Sequence, residues 1–158
     1  MVGHLTREQI LQQHAFTQGL AESQIARLAS LAAEATFAAD EVILLEGRRS
    51  RYFYLVLTGS VGVELRTPTF TLSVQVLGAG DAFGWSALLD QQDTLFQVRA
   101  RERTTTLRVA GRDLAELCQS DTALGAQFLL RTLRMVAGRV KATEARLAEM
   151  CGVRITGR

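Results

Sequence analysis

The sequence predicts a mainly β fold, a jelly-roll sandwich or barrel with helices at both ends. Three observations predict it. Between residues 37 and 109, short runs of apolar and β-branched residues alternate with polar ones and are separated by glycine turns. No strand–helix–strand alternation appears, which argues against a parallel nucleotide-binding sheet. From Asp113 the pattern turns helical and ends in a long apolar heptad.

At 158 residues, 47% of them hydrophobic, the chain is long enough for one well-filled core and reads as a single folded unit. No apolar run approaches the length of a membrane span. The start, MVGHLTREQI, lacks the basic-then-apolar build of a signal peptide, so a cytoplasmic location is expected. The net charge of +2 is too small to argue for nucleic acid. Cys118 and Cys151 stand far apart with no CxxC, too few for a disulfide framework or a four-cysteine cluster. His4 and His14 lie away from the strands and from any acidic cluster, so no metal site is expected, and haem ligation by His14 or a cysteine is a minor reading. No nucleophile–base pair or paired carboxylates stand out, so the chain is not expected to be an enzyme.

Taken in order, residues 5–13 read as a helix with Thr6 as N-cap and Gln9 in the capping-box position. HAFTQG, residues 14–19, reads as a turn. Residues 21–33 read as a second helix, with Ile25, Leu28, Leu31 and Ala32 on one stripe. A strand block follows: Val42–Leu45, Tyr52–Leu57, Val61–Leu65 and Thr104–Val109. Asp40 stands at a turn that calls for a left-handed residue, and Thr58-Gly59-Ser60 is a strand-to-strand turn. The run Thr69–Leu77 alternates, placing Phe70, Leu72, Val74 and Val76 inside and Thr69, Thr71, Ser73 and Gln75 outside. Asp113–Cys118 is a short helix. Asp121 or Thr122 then caps a long one to about Met150.

That long helix carries Leu129, Leu133, Val136, Val140, Thr143, Leu147 and Met150, spaced 4, 3, 4, 3, 4, 3. A seam of that kind on a domain that already has a core calls for a second copy of itself, so a parallel homodimer is expected.

The stretch Gly78–Arg101, GAGDAFGWSALLDQQDTLFQVRAR, is the candidate site. It reads as strand end, glycine turn, one helical turn, polar loop, strand. A helical turn entered through Gly84 leaves backbone N–H groups without intrahelical partners, a setting that can hold an anion or simply close the barrel.

This stretch resembles the phosphate-binding cassette of the cyclic nucleotide-binding domain found in catabolite-activator and FNR-type regulators. Phe83-Gly84 and Val98-Arg99-Ala100 fit that pattern. The ribose-binding Glu of the family falls on Trp85. The phosphate-pairing Arg falls on Thr94, or on Asp93 with a one-residue shift, and the following Ser/Thr falls on Leu95. A charge-assisted hydrogen bond is worth about 1.5–3 kcal/mol, so losing both would weaken cAMP binding by about two to four decades.

The resemblance runs from Phe16 to the end. Thr143-Glu144 stands where the family has a purine-contacting Thr-Ser pair, and Ile155-Thr156-Gly157-Arg158 resembles its hinge. It implies a small-molecule sensor domain in signalling or transcription, with cAMP or a related cyclic nucleotide as the candidate ligand and atypical or lost cAMP binding. The competing expectation is a degenerate module that keeps only a dimerisation and protein-contact role. The expected ligand residues are Gly84, Trp85, Ser86, Ala87, Thr94, Leu95, Phe96, Arg99 and Thr143. The expected dimer residues are Leu129, Leu133, Val136, Val140, Thr143 and Leu147. The expected division is a barrel with N-terminal helices at 1–120, a dimer helix at 121–151 and a tail or hinge at 152–158. After Cys151 too few residues follow for two DNA-reading helices, so no DNA contact is expected from this chain.

Overall fold

The computed structural model describes residues 4–90 and 93–154. Two helices lead in, α1 (Arg7–Gln13) and α2 (Glu22–Leu31). Eight strands follow: β1 (Ala32–Phe37), β2 (Val42–Leu44), β3 (Tyr52–Thr58), β4 (Ser60–Arg66), β5 (Thr71–Gly78), β6 (Ala82–Phe83), β7 (Phe96–Ala100) and β8 (Thr104–Ala110). A 3₁₀ turn, Trp85–Leu88, sits between β6 and β7. Helices α3 (Gly111–Ser120) and α4 (Thr122–Met150) complete the chain.

The strands form two antiparallel four-stranded sheets, ordered β1-β8-β3-β6 and β2-β7-β4-β5. This is the expected jelly roll with flanking helices and a long C-terminal helix. The first sheet is covered on both faces. Along β3, Phe53 and Leu55 join the helices in one cluster, while Tyr54 and Val56 join Val61, Val63, Leu77, Phe83 and Val98 between the sheets. Alternate side chains of a strand point to opposite faces, so the unbroken apolar run of β3 is what a doubly covered strand requires.

The ends of the helices follow local chemistry. Thr6 Oγ1 accepts from Gln9 N at 3.2 Å, and Gln9 Oε1 accepts from Thr6 N at 2.8 Å. Asp121 Oδ1 accepts from Leu124 N at 3.0 Å and so caps α4. Asp40 adopts φ 68 and Gly59 φ 82 at the two expected turns.

Two expectations need correction. The second helix stops at Leu31, and Ala32–Phe37 instead forms β1, paired along its length with β8. Ala, Glu and Thr in that segment carry no strand pattern of their own; the β8 ladder overrides local preference. On β5, Val63 faces Gln75 but Glu64 faces Ser73, so Val74 is a bulged extra residue. The alternation flips there. Gln75 and Leu77 turn inward beside Val63 and Val61, and Val76 is left 49% exposed. Phe70 lies before the strand and is also exposed.

The first half of α4 is docked by Leu124 and Phe128, both fully buried. Phe128 meets Phe16 and Phe53 at ring-centroid distances of 5.2 and 5.1 Å. Arg131 donates to the carbonyls of Phe16 and Gln18 at 2.6 and 2.7 Å. Phe128→Ala should therefore cost about 3–5 kcal/mol, read as a lowered urea midpoint, with α4 losing its amide protection first.

Candidate functional site

The site is built on a corner. Phe83 pairs with Tyr54, and Gly84 then turns left-handed at φ 83 to start the 3₁₀ turn. A Cβ at position 84 would stand 2.5 Å from the Tyr52 carbonyl oxygen and 3.1 Å from Ser50 Oγ. Only glycine meets both the conformation and the space. The corner is tied to the neighbouring loop by two hydroxyls. Ser86 Oγ accepts from Ser50 N at 2.9 Å, and Ser50 Oγ donates to Tyr52 O at 2.6 Å. Ala87 N–H closes the turn onto Gly84 O at 3.0 Å. The N–H groups of Trp85 and Ser86 open the turn and have no partner within it.

A cavity of about 20 Å³ lies beside this corner. The barrel lines it with Leu44, Phe83, Gly84, Trp85, Ser86, Thr94, Phe96 and Val98, and α4 contributes Arg139. Arg139 Nε donates to Gln75 Oε1 at 2.8 Å. Gln75 is inward only because of the bulge at Val74. Burial pushes the guanidinium down to about 10, so it still carries its charge at neutral pH. Its only hydrogen bond to a described residue is the one to Gln75, and no described carboxylate forms an ion pair with it.

Residues 34–121, more than half of the chain, match the sequence profile of the cyclic nucleotide-binding domain. The chain belongs to the cyclic nucleotide-binding domain family. Solved structures of this fold superimpose closely. A cyclic nucleotide-binding domain from Methylobacillus flagellatus has a TM-score of 0.75 at 21% identity, covering 97% of this chain and 84% of that one. The sensor domain of the transcriptional regulator DNR from Pseudomonas aeruginosa has a TM-score of 0.68 at 18% identity, covering 85% and 91%. A regulatory subunit of a cAMP-independent protein kinase A from Trypanosoma cruzi, bound to guanosine, has a TM-score of 0.61 at 21% identity, covering 82% of this chain and 48% of that one. At these identities the likeness is one of fold. No curated protein matches the chain in sequence.

Within this cyclic nucleotide-binding fold, the sequence-expected ligand residues separate. Gly84, Trp85, Ser86, Thr94 and Phe96 come together around the cavity. Ala87 is buried against α3 instead, its carbonyl under Gly111. Leu95 is 75% exposed and outside the cavity lining. Arg99 lies opposite Gly62 on the outer face of the second sheet. There its Nε meets Glu64 Oε2 at 3.3 Å and its Nη1 donates to Asp40 O at 2.8 Å. It is committed away from the cavity, because Phe96 and Val98 take the inward positions of β7. Thr143 sits one turn beyond Arg139, and its Oγ1 donates to the Arg139 carbonyl at 2.8 Å. Trp85 divides its surface between the cavity and the helix-side cluster, so it forms part of the cavity wall. Gln91 and Gln92 of the polar loop lie outside the described residues, as does the hinge-like segment 155–158.

Arg139 and Gln75 are absent from the expected ligand residues, and the alternation of Thr69–Leu77 put Gln75 on the outer face. Arg139 had a signal, since it stands four residues before Thr143 on the same helix face. Gln75 had none.

The haem reading finds no support in the geometry of His14. Its Nε2–H donates to Val56 O at 2.9 Å and its Nδ1 accepts from Phe16 N at 3.2 Å, so both ring nitrogens are engaged. Cys118 is buried and its thiol is pushed up by that burial. Among the described residues no group of His, Cys, Asp and Glu is placed to hold a metal, and no helix is long and apolar enough to cross a membrane.

Two outcomes follow from this geometry. Gly84→Ala should cost at least about 1–3 kcal/mol from left-handed strain alone, with the steric overlap added, read as a lowered denaturant midpoint. His14 is held below its ordinary 6.5, mainly by burial, with the Val56 carbonyl and Asp81 opposing. The unfolded chain therefore takes up a proton that the folded chain resists. Stability should be full above pH 6.5 and fall as the pH drops below it, and thermal unfolding of His14→Gln across pH 5–8 should lose that slope.

Proposed function

We propose that this chain is a regulatory sensor domain in which a small nucleotide-like ligand occupies the pocket at Gly84, Trp85, Ser86, Thr94 and Phe96, and α4 reports its presence. One observation carries the reading: a single helix both lines the pocket, through Arg139, and presents an unpartnered heptad seam. Leu129, Leu133, Val140, Leu147 and Met150 are 49–64% exposed along that seam, and Val136 and Thr143 are half-buried. A row of this kind on an otherwise filled domain fits a parallel helix pair between two copies. In this reading residues 1–120 form the sensing barrel, 121–151 the dimer helix and 152–158 a tail or hinge. A ligand that binds one position of α4 better than another shifts the balance between them. In this reading Thr143, one turn beyond Arg139 and on the seam, contacts the base. The expected output is signalling or transcription, as in the DNR sensor domain, within the cytoplasm.

A second reading has its own observation. Small-molecule sites usually offer about 300–1,000 Å³, and this cavity holds about 20 Å³. That favours a module that has kept its dimer and protein-contact role and closed its pocket.

Calorimetric titration with cAMP, cGMP and cyclic dinucleotides separates the two. Micromolar binding of any of them, with thermal stabilisation, supports the sensor; no heat and no stabilisation leaves the dimerisation module. Light scattering on the same protein should report a dimer, and Leu133→Asp should yield monomers that keep their β-sheet spectrum.

A further inference from the structure

We infer that Arg139 is the anion-binding and ligand-selecting residue of this pocket, so that the ligand carries a compact negative charge and is gripped from α4 rather than from the barrel. The inference rests on the sensor reading above and names its ligand class.

The charge balance of the pocket comes first. Every described barrel residue lining the cavity is uncharged, and Arg139 is the single charged group among the described lining residues. The barrel's nearest alternative, Arg99, is held on the outer face by Glu64 and the Asp40 carbonyl. A guanidinium carries five N–H donors. Gln75 takes the one at Nε, and no described acceptor takes those of the two terminal nitrogens. Those donors form the fork that matches a phosphate or carboxylate group edge-on.

The guanidinium is half-buried, and none of its nitrogens is sealed from water without a hydrogen bond, so its free donors stay open to an incoming partner. A charge removed from water is unfavourable unless it is paired, and here burial alone lowers the basicity of the group. Among the described residues a neutral amide is its only partner. The bulge at Val74 turns that amide inward, so the side chain is aimed while its charge is left uncompensated. A purely structural tie between α4 and β5 has no need of a cation.

The cavity as it stands is small. It has room for about one water-sized group beside the guanidinium, less than a phosphate or carboxylate group fills. In this inference the Trp85 and Thr94 side moves outward to seat the ligand. Because the gripping atoms ride on α4, pairing with the anion draws that helix toward the barrel.

The test compares wild type, Arg139→Gln and Arg139→Lys by calorimetry with cAMP, adenosine and inorganic phosphate, plus thermal unfolding without ligand. Wild type should bind cAMP at least tenfold more tightly than adenosine. Arg139→Gln should lose tenfold or more for cAMP and phosphate while leaving adenosine unchanged, and Arg139→Lys should retain part of the preference. Without ligand, Arg139→Gln should melt within about 2 °C of wild type, so that a lost grip on the anion is read apart from a lost fold; a drop of more than about 4 °C would mark Arg139 as a structural tie and overturn the inference. Equal binding of cAMP and adenosine by wild type, or unchanged cAMP binding by Arg139→Gln, overturns the inference and leaves the sensor reading standing. No heat from wild type with any of the three probes overturns the inference, and no heat with cGMP and cyclic dinucleotides as well removes the sensor reading with it.

Discussion

The contact on which the site depends is backbone against backbone at Gly84. The Tyr52 carbonyl stands where a Cβ would be, so the turn lies directly on the central strand. Two similar approaches follow from it. A Cβ on Gly111 would stand 2.1 Å from the Ala87 carbonyl oxygen, and one on Gly125 would stand 2.2 Å from that of Cys118. The turn thus rests on β3, α3 rests on the turn, and α4 rests on α3. Side chains can change rotamer to absorb a shift, but main chain in van der Waals contact cannot. A displacement of the turn therefore meets α3 directly, and through it the start of α4.

That stack fixes only the first half of α4. Leu124, Phe128 and Arg131 hold it to the helix-side core and the turn after α1. Farther along, Arg139 is the residue that reaches back, to Gln75 on an edge strand. Beyond it the side-chain hydrogen bonds stay within the helix, Thr143 to the Arg139 carbonyl and Arg146 to Glu149. The helix is anchored at one end by apolar burial and in the middle by one amide–guanidinium bond of modest net worth, about 1.5–3 kcal/mol. Such an element has a rigid base and a weakly held arm, the combination a two-position helix requires.

Much of this was legible in the sequence because the signals were local. The Thr6–Gln9 capping box, the Asp121 cap, the left-handed Asp40 and the Gly84 corner each depend on residues within a few positions. The apolar run of β3 and the α4 heptad are continuous local patterns and needed no partner to be recognised. What could not be read depended on partners far away. β1 exists because β8, some seventy residues on, supplies its hydrogen bonds. The cassette pattern put Arg99 among the ligand residues, but the register with β4 decides that it faces outward. The alternation of β5 was sound up to Val74, and one bulged residue reversed the rest. Arg139 was missed for a related reason: a basic residue on a long surface helix reads as solvated until a bulge elsewhere opens a place for it.

The two departures from the family pattern, Trp85 for the acid and Thr94 (or Asp93) for the arginine, are best considered together. Each alone would unbalance the pocket; jointly they remove one negative and one positive group and leave Arg139 as the only charge among the described lining residues. Recognition through ribose hydroxyls loses its acceptor, while recognition through charge keeps its donor. In a site whose cation sits on the barrel, holding the anion and moving the helix are separate events that must be linked by further contacts. In the proposed reading, with the cation on α4, they are one event, since the group that pairs with the anion belongs to the helix. In the proposed reading the energy available for the shift is then bounded by that single charge-assisted contact, about 1.5–3 kcal/mol. That is enough to change the ratio of two helix positions by about 10- to 150-fold, and it requires no other contact to differ between them.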